Sequence, residues 1–253
     1  MKSFVALSLV MASTAVARTM TVYNACPFTI WPALFTSSGG RPSHATGWIA
    51  PAFSKEVFDL PSDWDGRIWG RRDCDFSSNP GPNSCVTGGC NGVCDINTAS
   101  LAEFKLAGAG DQDFYDLSLV NGYNLPYALH LCADGPFDSS GFPVGCKSAC
   151  TVDGLNGQDG NSANSCSGSH GTPQTCPKSG VQDYSFFKSN CPNAYAYTYD
   201  ESSESALWTC AHSKNEAYTV GTPSPSALER DQDYRDILPF TLSCSHTINH
   251  IST

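Results

Sequence analysis

The chain has 253 residues, of which 40% are hydrophobic and only 15% charged, a composition that excludes a disordered polyampholyte and a coiled coil. Its formal charge of −10 excludes an extended basic surface for nucleic acid or anionic lipid. The 13 cysteines, 22 glycines and 16 prolines point to short strands, many turns and a disulfide framework.

Residues 1–17 read as a secretory signal. Lys2 supplies the positive end, Phe4 to Met11 the apolar stretch, and Ala15-Val16-Ala17 a small-residue cleavage site. Cleavage would start the mature chain at Arg18 and, by removing Lys2, make its balance still more acidic. No later stretch is apolar for the roughly 18 residues that a membrane span needs. A soluble protein is expected, released to the extracellular space or the cell wall.

Met20 to Trp31 is the first strand-like run, followed by Phe53 to Leu60, Leu101 to Leu106 and Phe114 to Val120, each bounded by Gly, Pro, Asn or Asp. This is the pattern of an all-β sandwich. Residues 73–97 turn to Gly, Ser, Asn, Pro and Cys, a small cysteine-rich loop module with little to bury. Residues 132–191 form a larger disulfide-rich subdomain, whose soft stretch from Asp153 to His170 cannot build a core without cross-links. Strand character returns at Tyr195 to Tyr199 and at Phe240 to Leu242. The sandwich core is therefore assigned to 18–72, 98–131 and 192–253, with no internal repeat.

The cysteines of a secreted chain are disulfides before they are metal ligands, and no C-x-x-C pair or Cys/His box argues otherwise. Their odd number leaves at least one thiol unpaired or bridging to another molecule. Cys26 and Cys244 lie near the two ends, and a bond between them would constrain almost the whole chain, worth about 5 kcal/mol on the chain-entropy view.

The most informative local feature is a hairpin. The runs at 100–106 and 113–118 flank Ala107-Gly108-Ala109-Gly110, a turn segment able to supply positive φ. A turn centred on Ala109 and Gly110 makes Glu103 and Asp116 direct cross-strand neighbours, with Cβ atoms on the order of 5 Å apart. Like charges so placed destabilise a fold. They also raise the pKa of one carboxyl, giving an acid beside an ionised base or nucleophile, the equipment for glycosidic bond cleavage. The alternative reading is two solvated hairpin charges and a register one residue away.

Weaker signals surround this pair. Tyr195, Tyr197 and Tyr199 on one strand face could stack on sugars, and core packing explains them as well. His246 and His250 have i,i+4 spacing within a short polar tail, a poor metal site. No Gly-X-Ser-X-Gly elbow frames a serine nucleophile. Arg71 reads either as a solvated cation or as a group that orients a carboxylate or sugar hydroxyl.

Asn24-Ala25-Cys26-Pro27-Phe28-Thr29-Ile30-Trp31-Pro32 resembles the opening strand of thaumatin-like proteins. Trp69-Gly70-Arg71, Cys85-Val86-Thr87-Gly88-Gly89-Cys90, Leu101-Ala102-Glu103-Phe104, Tyr115 to Asn124, Gly171 to Cys176 and Cys191 to Tyr197 follow in that family's order. The likeness covers essentially the whole mature chain. It implies a flattened antiparallel β-sandwich with two disulfide-rich excursions and an acidic cleft. The family's cleft set of one Arg, one Glu and three Asp carries over as Arg71, Glu103, Asp116 and Asp200, with Asn121 where one Asp is expected. Glu103 and Asp116 are then the implied catalytic pair, and Arg71, Asn121, Asp200 and Tyr123 the implied substrate-binding residues. The resemblance further implies the disulfides Cys26–Cys244, Cys74–Cys85, Cys90–Cys94 and Cys132–Cys210. Cys146, Cys150, Cys166, Cys176 and Cys191 stay unsorted, with Cys150 or Cys176 as the partner of Cys166. Gly89 stands where the family signature has Asp. The reduced cysteine count and the Tyr-Thr-Tyr-Asp-Glu run look more like fungal members than plant ones.

Such a resemblance does not fix one activity, because the fold hosts several. The leading expectation is an endo-β-1,3-glucanase with Glu103 as proton donor and Asp116 as nucleophile or base, serving wall remodelling or antifungal action. The alternative is a non-catalytic β-glucan-binding antifungal protein, and the third reading is a glycosidase inhibitor. The expected partner is β-1,3-glucan or another cell-wall polysaccharide, bound by a monomer. No metal or organic cofactor is implied, since two carboxylates and water suffice.

Overall fold

The computed structural model describes residues 17–24, 26–78, 80–81, 83–91, 95–96, 99–122, 124, 128–131, 172–181 and 184–222. Alternation of apolar and polar residues decides the architecture. In β1 (Arg18–Asn24) Met20 and Val22 point inward, and in β3 (Lys55–Leu60) Phe58 and Leu60 do. β2 (Trp31–Ser38) lies between them in sequence but joins the other sheet. The single run expected from Met20 to Trp31 is thus split, because the chain bends after Asn24. Its side chain holds that bend by donating to the carbonyls of Phe28 (2.9 Å), Ala50 (3.0 Å) and Pro51 (2.9 Å).

The remaining strands are β4 (Asp65–Cys74), β5 (Cys85–Thr87), β6 (Cys90–Asn91), β7 (Asp95–Ile96), β8 (Leu101–Gly108), β9 (Gln112–Ser118), β10 (Ala128–Leu131), β11 (Leu207–Ala211) and β12 (Tyr218–Thr222). One sheet has the order β10-β12-β1-β3, with β1 and β12 parallel. The other runs β11-β9-β8-β4-β2, with β5 against β4, and β6 and β7 pair by themselves. Met20, Leu60, Trp64, Ile68, Phe104, Leu117, Tyr218 and Val220 fill the space between the two large sheets. That is the all-β sandwich read from the sequence. β4 tolerates close packing because Gly66 has no Cβ, which would collide with the Phe35 carbonyl and the Trp64 ring.

The start of β1 is fixed by a buried polar cluster. Arg18 and Asp113 are each 1% exposed and meet at 3.1 Å. Asp113 also accepts from Tyr218 Oη (2.5 Å), His212 Nδ1 (2.6 Å) and the Ala107 amide (3.0 Å), while Arg18 donates to Asn215 Oδ1 and the His212 carbonyl. The cluster ties β1, β9 and the approach to β12 together.

Cys74 and Cys85 are cross-strand partners on β4 and β5 and form a disulfide, as the resemblance implies. Cys210, Cys176 and Cys191 are also disulfide-bonded. Cys94, Cys132, Cys146, Cys150, Cys166 and Cys244 lie outside the described residues, as do Tyr123, residues 1–16 and most of the expected 132–191 subdomain.

One further local expectation is corrected. Tyr195 to Tyr199 is not a strand but a single parallel bridge, Ser118 to Tyr195, followed by turns. A short helix not read from the sequence, α1 (Tyr184–Asn190), buries Phe187 in the core. Seven residues give too few turns for its period to stand out.

Candidate functional site

The β8–β9 hairpin sets the site. Its register pairs Leu101 with Ser118, Glu103 with Asp116 and Lys105 with Phe114. The cross-strand neighbours expected from the sequence are therefore present, although the turn differs. Gly108 pairs with Gln112 across Ala109, Gly110 and Asp111, one residue more than a two-residue turn. A bulge between Lys105 and Gly108, with Ala107 at φ 50°, compensates, and Asp113 holds the Ala107 amide. The extra turn residue and the bulge cancel, so the carboxylates remain opposite.

Alternation sends Ala102, Phe104, Tyr115 and Leu117 into the core and Glu103, Asp116 and Ser118 to the other face. On that face one transverse row crosses the whole sheet: Phe35, Arg67, Glu103, Asp116 and Leu207, each the register partner of the next. Four strand spacings make this row roughly 19 Å long.

Within the row the two carboxylates have unequal neighbours. Arg67 Nη1 lies 3.7 Å from Glu103 Oε1, and its guanidinium sits 5.2 Å over the Phe35 ring. Glu103, whose side chain is 35% exposed, also takes a hydrogen bond from Ser118. Poor hydration of its carboxyl raises the pKa, and Arg67 and Ser118 oppose the rise. Asp116 has no cation against it, and its Oδ1 is buried with no hydrogen-bond partner among the described residues. Burial first, then the charges of Glu103 and Glu201, push its pKa well above the usual carboxylate range. The pair can thus hold one proton on Asp116 beside an ionised Glu103.

The other expected residues do not all join this pair. Arg71 is on the same strand face as Arg67, but its Nε and Nη2 donate to the carbonyls of Trp31 (2.9 Å) and Pro32 (3.2 Å). The cation beside Glu103 is Arg67. Asp200 is fully buried and accepts from Tyr184 Oη (2.9 Å), Lys188 Nζ (2.9 Å) and the Ala196 amide (3.0 Å). Its oxygens are committed to protein, and the acid whose charge reaches Asp116 is the exposed Glu201 beside it. Asn121 is half-buried in the turn after β9, where its carbonyl accepts the Ala99 amide at 3.4 Å.

Sequence reading missed Arg67 and Glu201. Arg67 is recoverable once Asp65–Cys74 is taken as a strand, because it shares a face with Trp69 and Arg71. Glu201 had no signal beyond adjacency to Asp200. Among the described residues no group of three or more His, Cys, Asp or Glu side chains is placed to hold a metal ion, and no helix is long and apolar enough to cross a membrane.

Residues 24–222 match the Thaumatin family. The chain belongs to the thaumatin family. Among its relatives is the pathogenesis-related thaumatin-like protein 3.5 of Cryptomeria japonica, 34% identical over 81% of this chain and 89% of that protein. Thaumatin-like protein 1 of Pyrus pyrifolia is 37% identical over 75% of this chain and 85% of its own length. A Prunus avium protein named glucan endo-1,3-beta-glucosidase is 32% identical over 80% of this chain and 90% of its length. These thaumatin-family relatives come from plants, and the likeness to fungal members rests on the cysteine count and the Tyr-Thr-Tyr-Asp-Glu run alone.

Proposed function

We propose that this thaumatin-family protein is secreted and acts on β-1,3-glucan, cleaving internal bonds with the carboxyls of Glu103 and Asp116, in remodelling of a wall or attack on one. One observation carries the reading: two carboxylates are direct cross-strand neighbours, and among the described residues only one of them has a cation against it. Like charges so placed cost stability. An uneven environment turns that cost into a proton donor beside a proton acceptor.

The environments exchange the roles that the sequence suggested. Asp116, whose Oδ1 is buried and which feels the charges of Glu103 and Glu201, keeps the proton and donates it to the leaving oxygen. Glu103, where Arg67 and Ser118 oppose the rise in pKa that burial brings, serves as nucleophile or as the base that activates water. The transverse row gives an extended polymer room to lie across the strands, with Phe35 and Leu207 at its ends. The Prunus avium relative's name is consistent with this chemistry.

The test is reducing-sugar release from a soluble linear β-1,3-glucan by the purified protein, beside Glu103→Gln and Asp116→Asn variants shown to be folded. Each variant is expected to lose about 100-fold or more of the activity. A wild-type protein that releases nothing yet co-sediments with insoluble glucan would overturn hydrolysis. It would leave the second reading, binding without cleavage, which Asn121 favours: an amide holds a hydroxyl and cannot act as base or nucleophile.

A further inference from the structure

We infer that Tyr195 and Glu201 form a positioning pair, in which Tyr195 fixes Glu201 as a third carboxylate near Asp116 and thereby keeps the catalytic proton on Asp116. The inference rests on the reading of Asp116 as the proton donor. Neither Tyr195 nor Glu201 is asked to touch the reacting bond.

The geometry comes from two anchors. The first is the bridge to β9: the Tyr195 amide donates to the Leu117 carbonyl (2.9 Å) and the Leu119 amide to the Tyr195 carbonyl (2.9 Å). These bonds straddle Ser118, the residue that also serves Glu103. The second is Asp200, which opens the 3-10 turn Asp200–Ser203. Lys188 Nζ bonds Asp200 Oδ2 (2.9 Å), the Ala194 carbonyl (2.9 Å) and Ser203 Oγ (3.0 Å), so the turn is fastened to the segment before it. Glu201, the second residue of that turn, receives the Tyr195 hydroxyl on Oε1 at 3.2 Å. The Asp200 network therefore presents Glu201, and Tyr195 stops an exposed side chain from swinging into solvent.

Among the described residues, the charged and titratable groups around Asp116 are Glu103 on β8, Arg67 on β4 beyond it, and Tyr195 and Glu201 on this connection. Arg67 is spent on Glu103, so Glu201 adds a negative charge that no other cation of the row offsets among the described residues. A like charge favours the protonated carboxyl, which supports the same conclusion for Asp116. The Tyr195 phenol is itself held protonated by burial and then by Asp116 and Glu201, so it stays a donor across the working range.

The experiment uses full-length mature protein and three variants: Glu201→Gln, Tyr195→Phe and Glu204→Gln. Glu204 is an exposed acid on the same connection and controls for net charge. Carboxyl-carbon NMR of Asp-labelled protein, with Asp116→Asn identifying the signal, reads the Asp116 titration without substrate. The pH profile of reducing-sugar release reads it during turnover. The expected result is a shift of the Asp116 midpoint, and of the alkaline limb of activity, to lower pH in Glu201→Gln and less so in Tyr195→Phe, with Glu204→Gln unmoved. The shift should shrink near 1 M salt, because Glu201 acts through solvent-facing space. An Asp116 midpoint unchanged by Glu201→Gln, or moved equally by Glu204→Gln, overturns the positioning role. A midpoint that moves in a protein that releases no sugar upholds it and defeats the hydrolytic reading instead.

Discussion

Asp113 and Asp116 stand on the same strand, β9, and face opposite sides of the sheet. Asp113 looks into the sandwich, where Arg18, Tyr218, His212 and the Ala107 amide occupy both of its oxygens. Asp116 looks outward among carboxylates, with Oδ1 buried and without a hydrogen-bond partner among the described residues. A carboxylate supplied with a cation and donors holds elements together. One denied them stores a proton and destabilises the fold slightly. The difference separates a residue retained for structure from one that structure alone would not select.

The largest effect expected from this contrast is on the Asp113 side. Asp113→Ala leaves the Arg18 guanidinium buried without its counter-charge, which costs about 3–5 kcal/mol. At about 2–4 °C per kcal/mol for a chain of this size, the melting temperature should fall by roughly 10 °C. Urea unfolding with an unchanged slope checks the value. A loss under about 1 kcal/mol would mean that the cluster is not the clamp described here.

The opposite sign is expected at Asp116. A carboxyl whose pKa is raised by folding contributes most to stability below the ordinary carboxylate range, and that contribution is lost as pH rises through the raised value. The wild-type protein therefore loses stability at this site on going from acid to neutral pH. Asp116→Asn removes the dependence, and should stabilise the fold by about 1 kcal/mol at pH 7, or about 2–4 °C, while the gain disappears near pH 4. Paired thermal melts at the two pH values decide it. A gain equal at both, or a loss at neutral pH, would show that Asp116 is not held protonated by its surroundings.

Much of this contrast was legible in the sequence because it depends on period-two alternation. Phe104, Leu106, Tyr115 and Leu117 announce the hairpin and which face is buried in the sandwich, and Glu103 and Asp116 then follow as outward partners. The detail of the turn was not legible: a two-residue loop was expected, and the correct register survives only because the Ala107 bulge offsets the extra residue at Asp111. Long-range identities were harder still. Arg67 and Arg71 share a strand face, and nothing local says that Arg71 turns to the Trp31 and Pro32 carbonyls while Arg67 meets Glu103. Asp200 and Glu201 are adjacent acids, and burial of the first depends on Lys188 and Tyr184, from a helix that the sequence did not reveal.

The smallest effect sharpens the comparison most, because it separates charge from stability. In the row beside Arg67 and Glu103, Lys105 Nζ lies 2.9 Å from Asp65 Oδ2, with 57% of the Lys105 side chain exposed. An exposed pair of this kind contributes about 0.5 kcal/mol or less, so Lys105→Gln should leave the melting temperature nearly unchanged. Asp65 is nevertheless one of the charges that raise the Glu103 pKa, and Lys105 is its neutraliser. Freed of Lys105, Asp65 should push Glu103 further toward its protonated form, moving the acid limb of glucan hydrolysis to higher pH in low salt and not near 1 M salt. A moved limb in a protein of unchanged stability would show that the outward face of β8 is tuned by field, as Asp116 is by Glu201. A fixed limb would confine the tuning of Glu103 to Arg67 and Ser118, the two groups in contact with it.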